Sequence, residues 1–387
     1  AVAKEPTTLL DPLESRDSAL MVAALKSLGT SIHEIPNGLL IEPNPLRGPA
    51  YIDCGLAGTV MRFVPPLASI AEGKVSFDGD EAAKRRPMKT TIDSLRSLGV
   101  EIEGEGLPFN ILGKGKVRGG EINIDASASS QFVSGLLLVA ARFDEGLTLN
   151  HVGDHLPSAP HIKMTLDCLR KRGVDAQEIS QSSWRIVPGE ISGGTIRIEP
   201  DLSNAGPFLA AAMVAGGSVT IPNWPESTTQ VGDQFDGILQ QLGAKISKKG
   251  GALTIFGSGE IHGIDIDLSE AGELTPVIAA LAALADSKTT IRGVAHLRGH
   301  ETDRLKALVS EINSLGGKAE ETADGMIIEP AKLQGGIWRC YEDHRMATAG
   351  AIIGLRVPGV EIEDVSVTSK TMPNFKLLWE RMLEEKA

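Results

Sequence analysis

Residues 94–104 read SLRSLGVEIEG, a helix tail closed by a glycine and followed at once by an alternating strand. Glycine just past a helix suits the left-handed C-cap, because it has no Cβ to clash there. The same phrase returns as ALKSLGTSIHE (24–34), CLRKRGVDAQE (168–178), ILQQLGAKISK (238–248) and EINSLGGKAEE (311–321). Its glycines are Gly29, Gly99, Gly173, Gly243 and Gly316, at intervals of 70, 74, 70 and 73 residues. One occurrence would mean little, whereas five at a near-constant interval define a repeat.

A second phrase lies between these, a strand passing through a short polar turn into a small-residue helix and out to another strand. It reads YIDCGLAGTVMRFVPPLASIAEGKVSF (51–77), INIDASASSQFVSGLLLVAARFDEGLTLN (122–150), IRIEPDLSNAGPFLAAAMVAGGSVTI (196–221) and IDIDLSEAGELTPVIAALAALADSKTTI (264–291). WRCYEDHRMATAGAIIGLRVPGVEI (338–362) is a looser fifth. Together the phrases give an α/β unit of about 70 residues with two helices and about four strands, mixing parallel and antiparallel pairing. The opening AVAKEPTTLL aligns with the tails of the second phrases, and the closing FKLLWERMLEEKA reads as a first-phrase helix. Five units and two halves lead to the expectation of a sixth unit shared between the termini, in a chain truncated at its N-terminus. A terminal repeat serving as a cap is the other reading.

The bulk composition narrows the function. A chain of 387 residues points to two domains, and 42% hydrophobic with 4% aromatic residues points to cores of Leu, Ile, Val and Ala. The longest apolar run, VIAALAALA at 277–285, is too short to cross a bilayer. Three scattered cysteines, Cys54, Cys168 and Cys340, have no metal-site spacing and favour reduced thiols in the cytoplasm. A net charge of −12 argues against a nucleic-acid surface. It also means that an anionic substrate needs a locally positive site.

Polar turns ahead of helices are where such a site can be built, since free N–H groups and the helix dipole favour anions there. The turns are CGLAGT (54–59), SASSQ (127–131), DLSNAG (201–206), SEAGELT (269–275) and YEDHR (341–345). Taken singly, each turn reads better as a simple N-cap. Basic residues cluster beside them: Arg62, the KRRP of 84–87, Arg298, Arg304, Arg345 and Lys370. In HLRGHETDRLKAL (296–308) acid and base mix at one helix start, which a solvated salt-bridged face would also explain.

GLAGTVMR, RRPM, DASASSQF, GELTP, LRGHETDRL, YEDHRMA and TSKTMPNF together resemble the 5-enolpyruvylshikimate-3-phosphate synthase family, along essentially the whole chain. The resemblance implies an inside-out α/β barrel-like fold of the enolpyruvyl transferase type, with two domains of three repeated units closing over a cleft. It implies domain limits near 1–198 and 199–387. It implies transfer of the enolpyruvyl group of phosphoenolpyruvate to the 5-hydroxyl of shikimate 3-phosphate with release of phosphate, and no metal or organic cofactor. A monomer is expected, because the family's domains close on themselves. Carried over by position, Ser129, Ser130, Gln131, Ser158 and His300 are implied to contact shikimate 3-phosphate. Arg86, Arg304, Arg345 and Lys370 are implied to clamp phosphoenolpyruvate, with Gly58 allowing close backbone approach and room for phosphonate mimics such as glyphosate. Glu273 is the implied acceptor of the hydroxyl proton, and Glu301 the group exchanging protons at the methylene carbon. His344 matches a family site residue, with a structural histidine as the alternative.

Some positions depart from the family pattern. Glu273 stands where many members have Asp, His300 where many have Lys, His161 where Tyr is common and Leu56 where Asn is common. The family's N-terminal Pro-Gly-Ser-Lys-Ser segment has no counterpart here, so this chain as written is expected to turn over weakly. The sister UDP-N-acetylglucosamine enolpyruvyl transferases carry a reactive Cys on the loop matching EAAKRRPMK (81–89), which has none. A non-catalytic fragment that binds shikimate 3-phosphate is the alternative from another class, and predicts binding without phosphate release.

Overall fold

The five glycines that close the repeated helix phrase all take left-handed backbone angles, with φ between 79° and 112°. Each therefore reverses the chain from a helix into a strand, as a residue carrying a Cβ would do only under strain. The computed structural model describes residues 1–384. The last helix spans Phe375–Glu384, and the final part of the helix expected over FKLLWERMLEEKA, 385–387, lies outside the described residues. The chain divides into two compact units, Ala1–Ile198 and Glu199–Ala387.

One sheet plan recurs. In the order Ala50–Asp53, Glu72–Asp78, Phe109–Lys114, Glu101–Glu103, the first two strands run parallel and the rest antiparallel. The strands Gly120–Ile124, Leu147–His151, Ser183–Ile186 and Ala176–Ser180 repeat that order, as do Asp265–Asp267, Thr289–Arg292, Met326–Glu329 and Lys318–Glu321. A further sheet keeps the plan with Gly194–Arg197 as the parallel partner of Thr7–Leu10, followed by Gly38–Glu42 and Ser31–Ile35. Gly217–Pro222 joins Ala252–Gly257 and Lys245–Lys249 in a three-stranded antiparallel sheet, and Gly336–Trp338 pairs in parallel with Val360–Ile362. The expected mixture of pairings is what the fold contains.

Parallel neighbours need a crossover, and here it is the small-residue helix of the second phrase. Gly58–Ala68, Gln131–Ala140, Thr275–Ala282 and His344–Gly354 each connect one such pair. These helices are buried nearly all round. All eight residues of Thr275–Ala282 are buried, as are eight of the ten in Gln131–Ala140. A helix apolar on every side must lie inside, so helices fill the middle of each unit while one face of each sheet meets solvent. Strand Leu147–His151 shows the resulting alternation of buried and half-buried positions. Each unit has its own core, one holding Ile52, Phe77, Phe132 and Trp184, the other Leu209, Ile278, Leu281 and Trp338.

Candidate active-site elements

Because a crossover helix starts where its parallel strand ends, the polar turns of a unit all fall at strand C-termini. In the first unit, Gly58 opens its helix directly after Ala50–Asp53 and its turn. A Cβ there would lie 3.1 Å from Arg86 Nη2 and from Gln131 Oε1, and 3.2 Å from Arg62 Nη1. Gly58, Arg86 and Gln131 are thus brought together, with Arg62 beside them. Arg86 donates from Nη1 to the carbonyl of Leu56 at 3.1 Å, and its Nε is buried without a hydrogen-bond partner. Among the described residues no carboxylate ion-pairs with Arg86. Arg62 is buried, donates to the Pro87 carbonyl at 3.2 Å and lies over the Phe132 ring.

Ser129 Oγ accepts the backbone N–H of Gln131 at 3.2 Å, and buried Ser130 stands at the helix N-cap position without a side-chain capping bond. His151 Nδ1 accepts the Ala126 N–H at 3.1 Å and ties the end of strand Leu147–His151 to the start of that turn. Ser158, at the next helix start, is buried and left-handed at φ 53°. A serine held there costs of order 1–2 kcal/mol, strain of a kind that concentrates at functional sites.

The second unit holds a denser charge cluster. Arg304, 2% exposed, opens the helix Arg304–Ser314 after Asp303 caps it through the Lys306 N–H. Its guanidinium donates to Asp343 Oδ2 at 2.7 Å, to Asp343 Oδ1 at 3.2 Å and to Glu301 Oε2 at 2.7 Å. Burial works against its charge, but Asp343, Glu301 and Glu273 together carry its pKa above the ordinary value. Lys370 Nζ lies 3.0 Å from the other Glu301 oxygen. Arg304 Nη1 also lies 3.0 Å from His300 Nδ1. Arginine can only donate, so that nitrogen accepts, and His300 does not supply the fixed charge a lysine would bring. Glu273 accepts from Ser203 Oγ at 3.1 Å.

Asp343 caps the helix His344–Gly354 by accepting the Arg345 N–H at 2.8 Å. His344 and Arg345 line a small pocket with Ser203, Asn204, Thr348 and Thr371. The Arg345 guanidinium has no hydrogen-bond or ion-pair partner among the described residues. Burial, then the charges of Lys370 and Arg345, hold His344 well below the usual histidine range, so it is neutral. Arg298 does not join the cluster: it pairs with Asp303 and Glu321, the salt-bridged face that its charge pattern also allowed. Cys54 is fully buried, and burial pushes its thiol up to about 12, which makes it no nucleophile at neutral pH. Asp343 and the buried Glu311 were not singled out from sequence. Asp343 sits inside YEDHR and was open to notice as a cap, whereas nothing local marks Glu311.

Repeated α/β units with cations, carboxylates and helix starts gathered at strand C-termini define a class of proteins that handle small polyanions. The sequence profile of EPSP synthase (3-phosphoshikimate 1-carboxyvinyltransferase) matches residues 1–379. A 3-phosphoshikimate 1-carboxyvinyltransferase of Kocuria rhizophila is 54% identical, over 99% of this chain and 89% of that relative. Among solved structures, EPSP synthase of Acinetobacter baumannii superposes with a TM-score of 0.78 at 26% identity, over 99% of this chain and 91% of that one. The chain belongs to the EPSP synthase family. Among the described residues no helix is long and apolar enough to cross a membrane.

Proposed function

We propose that this protein transfers the enolpyruvyl group of phosphoenolpyruvate to the 5-hydroxyl of shikimate 3-phosphate and releases phosphate. The observation that carries the reading is the buried cluster of Arg304, Lys370, Glu301 and Asp343, with the unpartnered Arg345 guanidinium beside it. In it, cations and a carboxylate share one place, as an addition–elimination requires: charge must be neutralised while protons are accepted and returned. Arg304, Arg345 and Lys370 are the second unit's groups for phosphoenolpyruvate. An incoming anion competes with Glu301 for Arg304 and Lys370, which releases Glu301 for proton exchange at the methylene carbon. Glu273, oriented by Ser203, takes the hydroxyl proton.

In the first unit, Ser129, Ser130, Gln131 and Ser158 are assigned to shikimate 3-phosphate. Arg86, beside Gly58, is assigned to phosphoenolpyruvate as the first unit's cation. His300 is assigned to shikimate 3-phosphate as a hydrogen-bonding group, and neutral His344 as a packing neighbour that keeps Arg345 in place. The scattered thiols support a cytoplasmic setting, and the family's architecture supports a monomer.

Phosphate release with both substrates, against each alone, tests the reaction, and calorimetric titration with each substrate tests binding. Arg345→Ala is expected to lower phosphate release by roughly 10²-fold or more, as loss of one preorganised cation does. Activity in Arg345→Ala equal to the parent's would reject the cluster as the site.

A further inference from the structure

The helix Arg304–Ser314 carries a second buried charge, Glu311, which is 0% exposed. Seven residues after Arg304 it lies on the same helix face, two turns on. Its Oε2 accepts the backbone N–H of Arg339 at 3.0 Å, and its Oε1 accepts the phenol O–H of Tyr341. The Arg339 guanidinium lies 3.9 Å away. A carboxylate is costly to bury, and packing alone would be met by an apolar side chain. What Glu311 adds is direction: its two acceptors hold the chain leaving strand Gly336–Trp338 against the helix.

That chain is the turn into Asp343, His344 and Arg345. Tyr341 and Glu342 take left-handed angles in succession, φ 53° and 58°, a conformation that non-glycine residues keep only when the surroundings impose it. Glu363 adds a further tie by accepting the Cys340 N–H at 3.0 Å. Helix and turn are therefore joined by two rungs. One is Arg304–Asp343, inside the site, and the other is Glu311 with Arg339 and Tyr341, outside it. Tyr341 is 36% exposed, so its ring is no core filler.

We propose that Glu311 and Tyr341 are a positioning pair that sets the pose of Arg304 and Arg345 toward the anionic substrate. The inference rests on the reading of that cluster as the phosphoenolpyruvate site. With the second rung intact, the turn has one orientation and Arg345 projects from a fixed helix start. Without the Tyr341 hydroxyl the turn relaxes, and the Arg345 guanidinium leaves the pose in which it meets the anionic substrate.

Tyr341→Phe removes the phenol half of the rung while keeping the ring, and Glu311→Gln keeps an acceptor that Glu311→Ala lacks. The half-saturating concentration of phosphoenolpyruvate is read by phosphate release, and in parallel by calorimetry with shikimate 3-phosphate present. Tyr341→Phe is expected to raise it by about tenfold, in line with the sensitivity of catalysis to small misplacements. Affinity for shikimate 3-phosphate alone stays near the parent's. Glu311→Ala is expected to exceed that loss, and Glu311→Gln to recover most of it. A response to phosphoenolpyruvate in Tyr341→Phe equal to the parent's, while Arg345→Ala loses it, overturns the positioning pair and leaves the reading of the cluster intact. If Arg345→Ala also responds like the parent, that reading falls and the pair with it.

Discussion

Gly58 shows how little room a single position leaves. A methyl group there would meet Arg86, Gln131 and Arg62 at 3.1–3.2 Å, closer than ordinary contact, so those side chains would have to give way. Gly58→Ala should fold, because the position lies in a helix, yet weaken phosphoenolpyruvate by roughly 1 kcal/mol, about fivefold. A steady-state titration with unchanged half-saturation would count against this packing argument. His344 carries a different kind of constraint. It is buried neutral, with a folded pKa well below the usual 6.5, so on acidification the unfolded chain takes up a proton that the folded one refuses. Stability is therefore unaffected by this group above about pH 6.5, and below it falls by up to about 1.4 kcal/mol per pH unit until the folded pKa is reached. Urea midpoints at pH 7.5 and 5.5 check this. The acid loss should be smaller in His344→Gln than in the parent, and equal losses would refute the assignment.

Elements gain their places from contacts that a local reading of the chain reaches only in part. The glycine-closed helices, the crossover helices and the strand-end turns were legible because each is written within a few residues: a left-handed glycine, an all-apolar helix, a capping Asp. The turns around Ser129, Asp201 and Tyr341 were found for that reason. What was not legible depends on long-range partners. The Asp343 carboxylate meets an arginine 39 residues earlier, and Glu311 meets a tyrosine 30 residues later. Arg356 is a third case. Just beyond the helix His344–Gly354, it donates to the carbonyls of Val214 at 2.7 Å and Leu284 at 3.3 Å, and to that of Gly259. One guanidinium thereby satisfies a carbonyl in the last turn of the helix Leu202–Ala215 and one just past the end of Thr275–Ala282, while the Arg356 backbone N–H closes its own helix on Ile353. Arg356→Met should cost roughly 1–3 kcal/mol, since three carbonyls, on buried Val214 and half-buried Gly259 and Leu284, lose a charged donor. A denaturant midpoint within error of the parent's would show that water replaces the guanidinium at no cost. The side-chain roles at each strand end, unlike the strand ends themselves, came from resemblance to a family and not from periodicity.

At the scale of the molecule, two separate cores predict two separable unfolding events. Trp184 is the first unit's tryptophan, and the other three lie in the second. Leu281→Ala, a cavity in the second core, should cost about 2–5 kcal/mol there and leave the transition around Trp184 in place. Calorimetry with fluorescence of single-tryptophan variants would detect it, and a common shift of both transitions would contradict it. The Arg356 staple reaches further than stability. The helices Leu202–Ala215, Thr275–Ala282 and His344–Gly354 bring Ser203, Pro276 and Arg345 of their first turns to one pocket, so their positive ends meet at the charge cluster. A cation seated at the negative ends leaves those positive ends unopposed. On a protein of net charge −12 this sets a locally positive face against an acidic background, the arrangement that draws a small anion to the cluster. Such a surface works as a sieve: long polyanions, which must lie across the acidic exterior, are turned away, and a small doubly charged metabolite is not.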